Sequence, residues 1–181
     1  MRRRLFGASV VAATLLALPG VATADIFMLF TGVAGDATAK GHEGWIRVSS
    51  LQWNVEASTS WTTGSGASVG KPNPGPVALT LPTGIWSQHF VRLITLGKAL
   101  PKVTIDATAS DGRPLYRAIV EGMFVTDYGL ASLPASPLPQ DKLEFVFKIL
   151  KIEYYATGTD GRLITTSFEW NVTTGIVTPA L

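Results

Sequence analysis

Two histidines are the only side chains in this 181-residue chain that ordinarily change charge near neutral pH, because it has no cysteine. His42 stands beside Glu43 in "KGHEGW". Such a pair could act as acid and base, or supply two metal ligands. It lacks the second histidine four residues on that a zinc-protease helix needs, and it sits just before a strand pattern. A solvated turn is the simpler reading. His89 lies on the flank of a helical pattern, as a surface or interface histidine. Serines are plentiful, yet none stands in a G-x-S-x-G context. Asp106 and Asp111 are near in sequence, but no pocket defines them as a pair. "GSGASVGK" (64–71) invites comparison with a phosphate loop. It does not match G-x-x-x-x-G-K-[ST] leading into a helix, and Pro72 and Pro74 follow Lys71. The residues therefore point to no enzyme, no cofactor and no metal site. A hydrolase built on His42 and Glu43 is the last-ranked alternative.

The five tryptophans divide by context. Trp45, Trp53 and Trp170 fall within strand patterns and read as core. Trp61 falls in the Gly/Ser-rich stretch 57–76, where an exposed indole suits a partner surface. A secreted β protein with such a residue can also bind sugars, so a carbohydrate-binding β-sandwich is the chief rival reading.

The elements that would position these residues begin after residue 24. "MRRRLFG" is a basic n-region, "ASVVAATLLAL" an apolar stretch too short to span a bilayer, and Ala22-Thr23-Ala24 a small-x-small cleavage site. Residues 1–24 read as an export signal, by the general or the twin-arginine route. Residues 25–181 read as one domain, exported to the periplasm or beyond, with no stable membrane insertion once the signal is removed. Removing Arg2, Arg3 and Arg4 from the 15 basic residues leaves 12, against 13 acidic ones. The high isoelectric point thus belongs to the leader, and no nucleic-acid footprint remains. Without cysteine, stability must come from packing or assembly.

Periodicity from Asp25 on is mostly two. "DIFMLF" (25–30), "GWIRVSSLQWNV" (44–55), "PKVTIDATA" (101–109), "YRAIVEGMFV" (116–125) and "RLITTSFEWNV" (162–172) read as strands. Asp111-Gly112 and Asp160-Gly161 read as hairpin turns. One segment, "TGIWSQHFVRLITLGK" (83–98), carries apolar residues at helical spacing, with Thr83 as N-cap and Gly97 just past the end. Residues 57–76 and 128–140 read as loops. The fold expected is mainly β: an antiparallel barrel or sandwich of about seven strands with one flanking α-helix.

"KLEFVFKILKIEYY" (142–155) departs from a simple strand. Leu143, Phe145, Phe147 and Ile149 are apolar on odd positions; Leu150, Ile152 and Tyr154 are apolar on even ones. A strand keeps one face to the core, so the pattern demands a bulge near Lys148–Leu150. In a ring assembly such as the family resemblance given next implies, the second apolar set, Leu150, Ile152 and Tyr154, is expected to meet a neighbouring subunit. The alternative is a bulge at a barrel corner with no neighbour involved.

These segments, in this order, resemble Hcp, the haemolysin-coregulated protein of type VI secretion systems. Asp25-Ile26-Phe27 resembles the usual start of that family. "SSLQWNV" (49–55) resembles its second strand, with Leu51 where Trp is common. The glycine-rich stretch ending at Gly70-Lys71 resembles its extended loop. "LGKALPKVTIDAT" (96–108), "FKILKIEYYATG" (147–158) and "FEWNVTTG" (168–175) are similar to its helix end, long penultimate strand and closing strand. The likeness spans nearly all of 25–175. It implies a β-barrel with one helix, assembled as a hexameric ring. Such rings stack into a tube, with secretion-system components or effector proteins as partners. Trp61 and Lys71 are the residues expected to reach an adjacent ring. Two features depart from the family. An export signal precedes the usual start, and starting at Met28 instead would delete Asp25 to Phe27. The stretch "VALTLPTGIWSQ" lacks the family's charged and Ser-Pro pattern.

Overall fold

The computed structural model describes residues 24–62, 66–132 and 138–180. Residues 1–23 of the proposed export signal lie outside the described residues. Among those described, no helix is long and apolar enough to cross a membrane.

Twelve strands and one helix are described: β1 (Asp25–Phe30), β2 (Ile46–Val48), β3 (Ser50–Gln52), β4 (Val55–Thr62), β5 (Gly66–Pro74), β6 (Val77–Pro82), α1 (Ser87–Leu96), β7 (Leu100–Thr108), β8 (Pro114–Ala131), β9 (Gln140–Val146), β10 (Ile149–Thr157), β11 (Leu163–Asn171) and β12 (Ile176–Ala180). All pairings are antiparallel.

The pairings β2–β1–β7–β8 and β8–β9–β6–β3 share β8 at one junction. At the other, β2 and β3 are separated only by Ser49, whose N–H donates to the Thr80 carbonyl at 2.7 Å. The sheet therefore closes on itself as a barrel, which removes open edges from that circuit. Strands β10, β11 and β12 continue outward from the first half of β8 as a wing.

Closure requires strands to turn corners, and the corners explain the swaps of apolar parity. Ile46 and Val48 are buried, then Leu51 packs on the core from the odd positions, with Ser49 as the pivot. In β8 the buried set passes from Ala118 and Val120 to Met123 and Val125, pivoting on Gly122. In 142–155 it passes from Leu143, Phe145 and Phe147 to Leu150 and Ile152, pivoting at Lys148. The run is thus two strands: β9 pairs with β6 and the far half of β8, and β10 pairs with the near half of β8 and β11.

Both Asp-Gly hairpins form. Gly112 (φ 81) and Gly161 (φ 79) take the left-handed conformation, while Asp111 Oδ1 and Asp160 Oδ1 accept the N–H two residues on at 2.9 and 3.0 Å. The helix forms one turn later than its sequence pattern. Thr83 is not the cap; its hydroxyl donates to Asp141 instead, at 3.0 Å. Trp86 and Phe90 insert into the core, and Phe90 meets Phe30 edge-on at 5.0 Å, so the helix plugs one end of the barrel.

Candidate functional site

The last-ranked alternative, a working pair of His42 and Glu43, does not form. His42 Nε2 lies 3.0 Å from Asp106 Oδ2, and the exposed Glu43 carboxylate accepts from the Gly41 backbone N–H at 3.0 Å. Glu43's own backbone N–H, followed by that of Gly41, holds its carboxyl below the usual glutamate range. Asp106 is buried, and Arg117 grips it with two hydrogen bonds of 2.7 and 2.6 Å. That bond raises the Arg117 pKa further, so the guanidinium stays charged. The His42 ring stacks on Phe27, with centroids 4.4 Å apart, and meets Trp45 edge-on. The cluster is a clasp: it pins residues 31–45 over the outer face of β1 and β7, which is why the outward-facing Phe27 is buried. His42 is therefore no solvated turn residue. Asp111 sits apart, in its turn. Among the described residues, no three His, Cys, Asp or Glu stand together as metal ligands.

A second polar cluster anchors the helix. Asp141, fully buried at the start of β9, accepts hydroxyl donors from Thr83 (3.0 Å), Ser87 (2.5 Å) and Tyr128 (3.1 Å). Burial, followed by the Asp141 charge, raises the Tyr128 pKa, which keeps that donor protonated.

The exposed apolar surface lies on the wing. Cross-strand partners share a face of a sheet, so rows of paired residues can be followed outward from the barrel. One row runs Phe30, Val103, Val120, Leu150, Trp170, Val177. Its members are at most 5 % exposed up to Trp170, and Val177 is 52 % exposed. The next runs Met28, Ile105, Ala118, Ile152, Phe168, buried to Ile152 and half-buried at Phe168. A third brings Tyr116 to Tyr154, and Ala156 faces Ile164. The inner face of the barrel wall thus runs on past the barrel, where none of the described residues covers it fully. Tyr154, Ile164 and Val177 are each about half exposed there.

This corrects the assignment of Leu150 and Ile152 to a subunit interface. They are 3 % and 1 % exposed, inside the chain's own core. The parity swap is a barrel corner, the alternative reading. Of the three, only Tyr154 remains at the surface. Missed by the sequence reading were Ile164 and Val177; Leu163-Ile164 and Ile176-Val177, apolar on both parities beside turns, were the available signal.

The described residues of 57–76 are not a loop but belong to β4, β5 and the approach to β6, and β4 and β5 form a separate two-stranded sheet. Trp61 pairs with Ala67 across it; its side chain lies outside the described residues. Lys71 is exposed on β5, its Cε 3.6 Å from where a Cβ on Gly175 would stand, in the β11–β12 turn. Isolated two-stranded hairpins are marginal in water, so this one requires cover.

A closed antiparallel barrel, plugged by one helix and carrying an apolar wing and a separate two-stranded hairpin, defines a β-barrel protein with an exposed apolar sheet face. The family model "Type VI secretion system effector, Hcp" matches residues 27–154, and the chain belongs to that family. Solved structures agree on the fold. A type six secretion system protein superposes with a TM-score of 0.79 at 18 % identity, covering 86 % of this chain and all of the other. Hcp1 from Salmonella typhimurium gives 0.70 at 19 %, covering 87 % and 100 %. A type VI secretion system effector from Yersinia pestis gives 0.62 at 17 %, covering 81 % and 99 %. No curated protein matches the chain.

Proposed function

We propose that this Hcp-family chain is a structural component of type VI secretion that assembles into hexameric rings, which stack into a tube. The observation that carries the reading is the wing. Its inner face exposes Tyr154, Ile164 and Val177 in continuity with the barrel core, and among the described residues β12 has a partner strand on one edge alone. A second copy seated on that face at each of six positions closes a ring and leaves no open edge. The β4–β5 hairpin, with Trp61 and Lys71, supplies the contact to the next ring or to a secretion-system partner. The assignment involves no reaction and no cofactor.

Residues 1–24 direct the chain out of the cytoplasm, and Asp25 becomes the N-terminus. The basic n-region, the apolar stretch and Ala22-Thr23-Ala24 support this, and β1 starts at the following residue.

Native mass spectrometry of residues 25–181 tests the assembly. A sixfold mass at micromolar concentration is the expected result. A stable, folded monomer under those conditions overturns it and favours the glycan-binding reading. N-terminal sequencing of the protein from cell fractions tests export: Asp25 outside the cytoplasm is expected, and intact Met1 confined to the cytoplasm refutes it.

A further inference from the structure

One stripe of α1 carries His89, Arg92, Leu93 and Leu96, spaced i, i+3, i+4 and i+7. Opposite it runs Thr31-Gly32-Val33 at the exit of β1, and Leu100 opens β7 beneath. Together with Lys98 they line a groove of about 230 Å³. Gly97 (φ 58) ends the helix in the left-handed conformation, with its N–H donating to the Ile94 carbonyl and that of Lys98 to the Leu93 carbonyl. That turn sets Lys98 on the rim. The floor is apolar: Val33 and Leu100 are buried, and Leu96 stands 53 % exposed at the lip.

The charges of this groove are unbalanced. No acidic residue lines it. Arg47, Arg113, Arg117, Lys151 and Arg162 each have a carboxylate within 4 Å, whereas among the described residues His89, Arg92 and Lys98 have none. We propose that the groove docks an acidic segment of a partner polypeptide, with an apolar side chain on Val33, Leu93 and Leu100 and carboxylates on Arg92 and Lys98. A membrane is the poorer match: from Asp25 on, basic and acidic residues nearly balance, and although Lys40, Lys71, Lys102, Lys142 and Lys148 also lack a carboxylate within 4 Å among the described residues, only His89, Arg92 and Lys98 line this recess, short of the cluster of about four to eight that anionic lipid recognition uses. The leader is excluded by sign, since Arg2, Arg3 and Arg4 repeat the charge of the rim. The proposal stands apart from ring assembly.

The probe is a fluorescein-labelled peptide, Glu-Glu-Leu-Leu-Glu-Glu, titrated by anisotropy against the full chain. Saturable binding at low salt is expected, weakening about fivefold or more as screening shortens the reach of the charges. A peptide with alanine for both leucines should bind about fivefold less. Arg92→Glu with Lys98→Glu should cost about tenfold, the milder Arg92→Gln with Lys98→Gln about threefold, and Lys142→Glu on β9 nothing. Four results would overturn the proposal: no saturable binding; equal binding of Lys-Lys-Leu-Leu-Lys-Lys; unchanged affinity in both double variants; or capture by phosphatidylserine vesicles in place of the peptide. A double variant that changes the oligomeric mass while leaving peptide affinity intact also overturns it, because the groove is then an interface between copies.

Discussion

Lys148 lays its side chain against Gly122: a Cβ on that glycine would stand 2.9 Å from Lys148 Cδ. The neighbouring Glu121 carbonyl accepts the Lys148 N–H at 3.0 Å. The two residues face each other where β8 and the β9–β10 run turn the same corner together, and Gly122 does so at φ 63. Replacing Gly122 by alanine adds a Cβ to a left-handed residue and presses on the Lys148 stem. Gly122→Ala should cost about 1–2 kcal/mol, since left-handed backbone is disfavoured for residues with a Cβ. The thermal midpoint should fall by a few degrees. Adding Lys148→Ala should recover only the steric part. A midpoint unchanged within a degree would show that the corner tolerates a side chain.

The wing and the core separate assembly from stability. Ile152→Ala removes a buried side chain and should lower unfolding free energy by about 2–5 kcal/mol. Ile164→Asp with Val177→Asp touches only exposed positions, so monomer stability should shift by no more than about 0.5 kcal/mol per site. The double variant should nonetheless lose the multimeric mass. If it keeps that mass, the lateral contact lies elsewhere.

Asp141 holds three hydroxyls with a fully buried carboxylate. Asp141→Ala leaves Thr83, Ser87 and Tyr128 without their acceptor, at a cost of about 3 kcal/mol or more. Amide exchange across Ser87–Leu96 should speed up before the rest of the barrel responds. Uniform acceleration across the chain would argue against a local anchor.

Burial, then the neighbouring Tyr154, pushes the Tyr116 pKa up to about 12 from 10.0. A raised pKa means that folding favours the protonated phenol. The stability this contributes is complete below pH 10 and is lost as pH rises towards 12, with a slope of up to about 1.4 kcal/mol per pH unit. Urea midpoints should therefore fall over that window, and Tyr116→Phe should flatten the fall. Superimposable alkaline profiles for the two proteins would contradict this.

Much of the fold is legible in the chain because single-strand signals are local. The short apolar run of 25–30, the alternation of 101–109, the two Asp-Gly turns and the helical spacing of Trp86, Phe90 and Leu93 are each local signals that the backbone enforces. The β4–β5 hairpin escaped notice because its residues are largely exposed, so no alternation marks it. Strand β6 was passed over as the approach to the helix, although Val77, Leu79 and Leu81 alternate and are all buried.

The clasp was invisible for another reason. His42 and Asp106 are 64 residues apart, and nothing local tells a paired aspartate from a solvated one. The amino-acid order by itself determined the class of fold, the turns, the helix and the places where buried parity changes. What each change means, a corner of one closed barrel or a face offered to a second molecule, was decided only in three dimensions. A parity swap records that a strand re-aims its side chains. Only the pairing of β10 with β8 and β11 fixes what those side chains then meet, and that places Leu150 and Ile152 inside and leaves the uncovered apolar surface farther out on the wing.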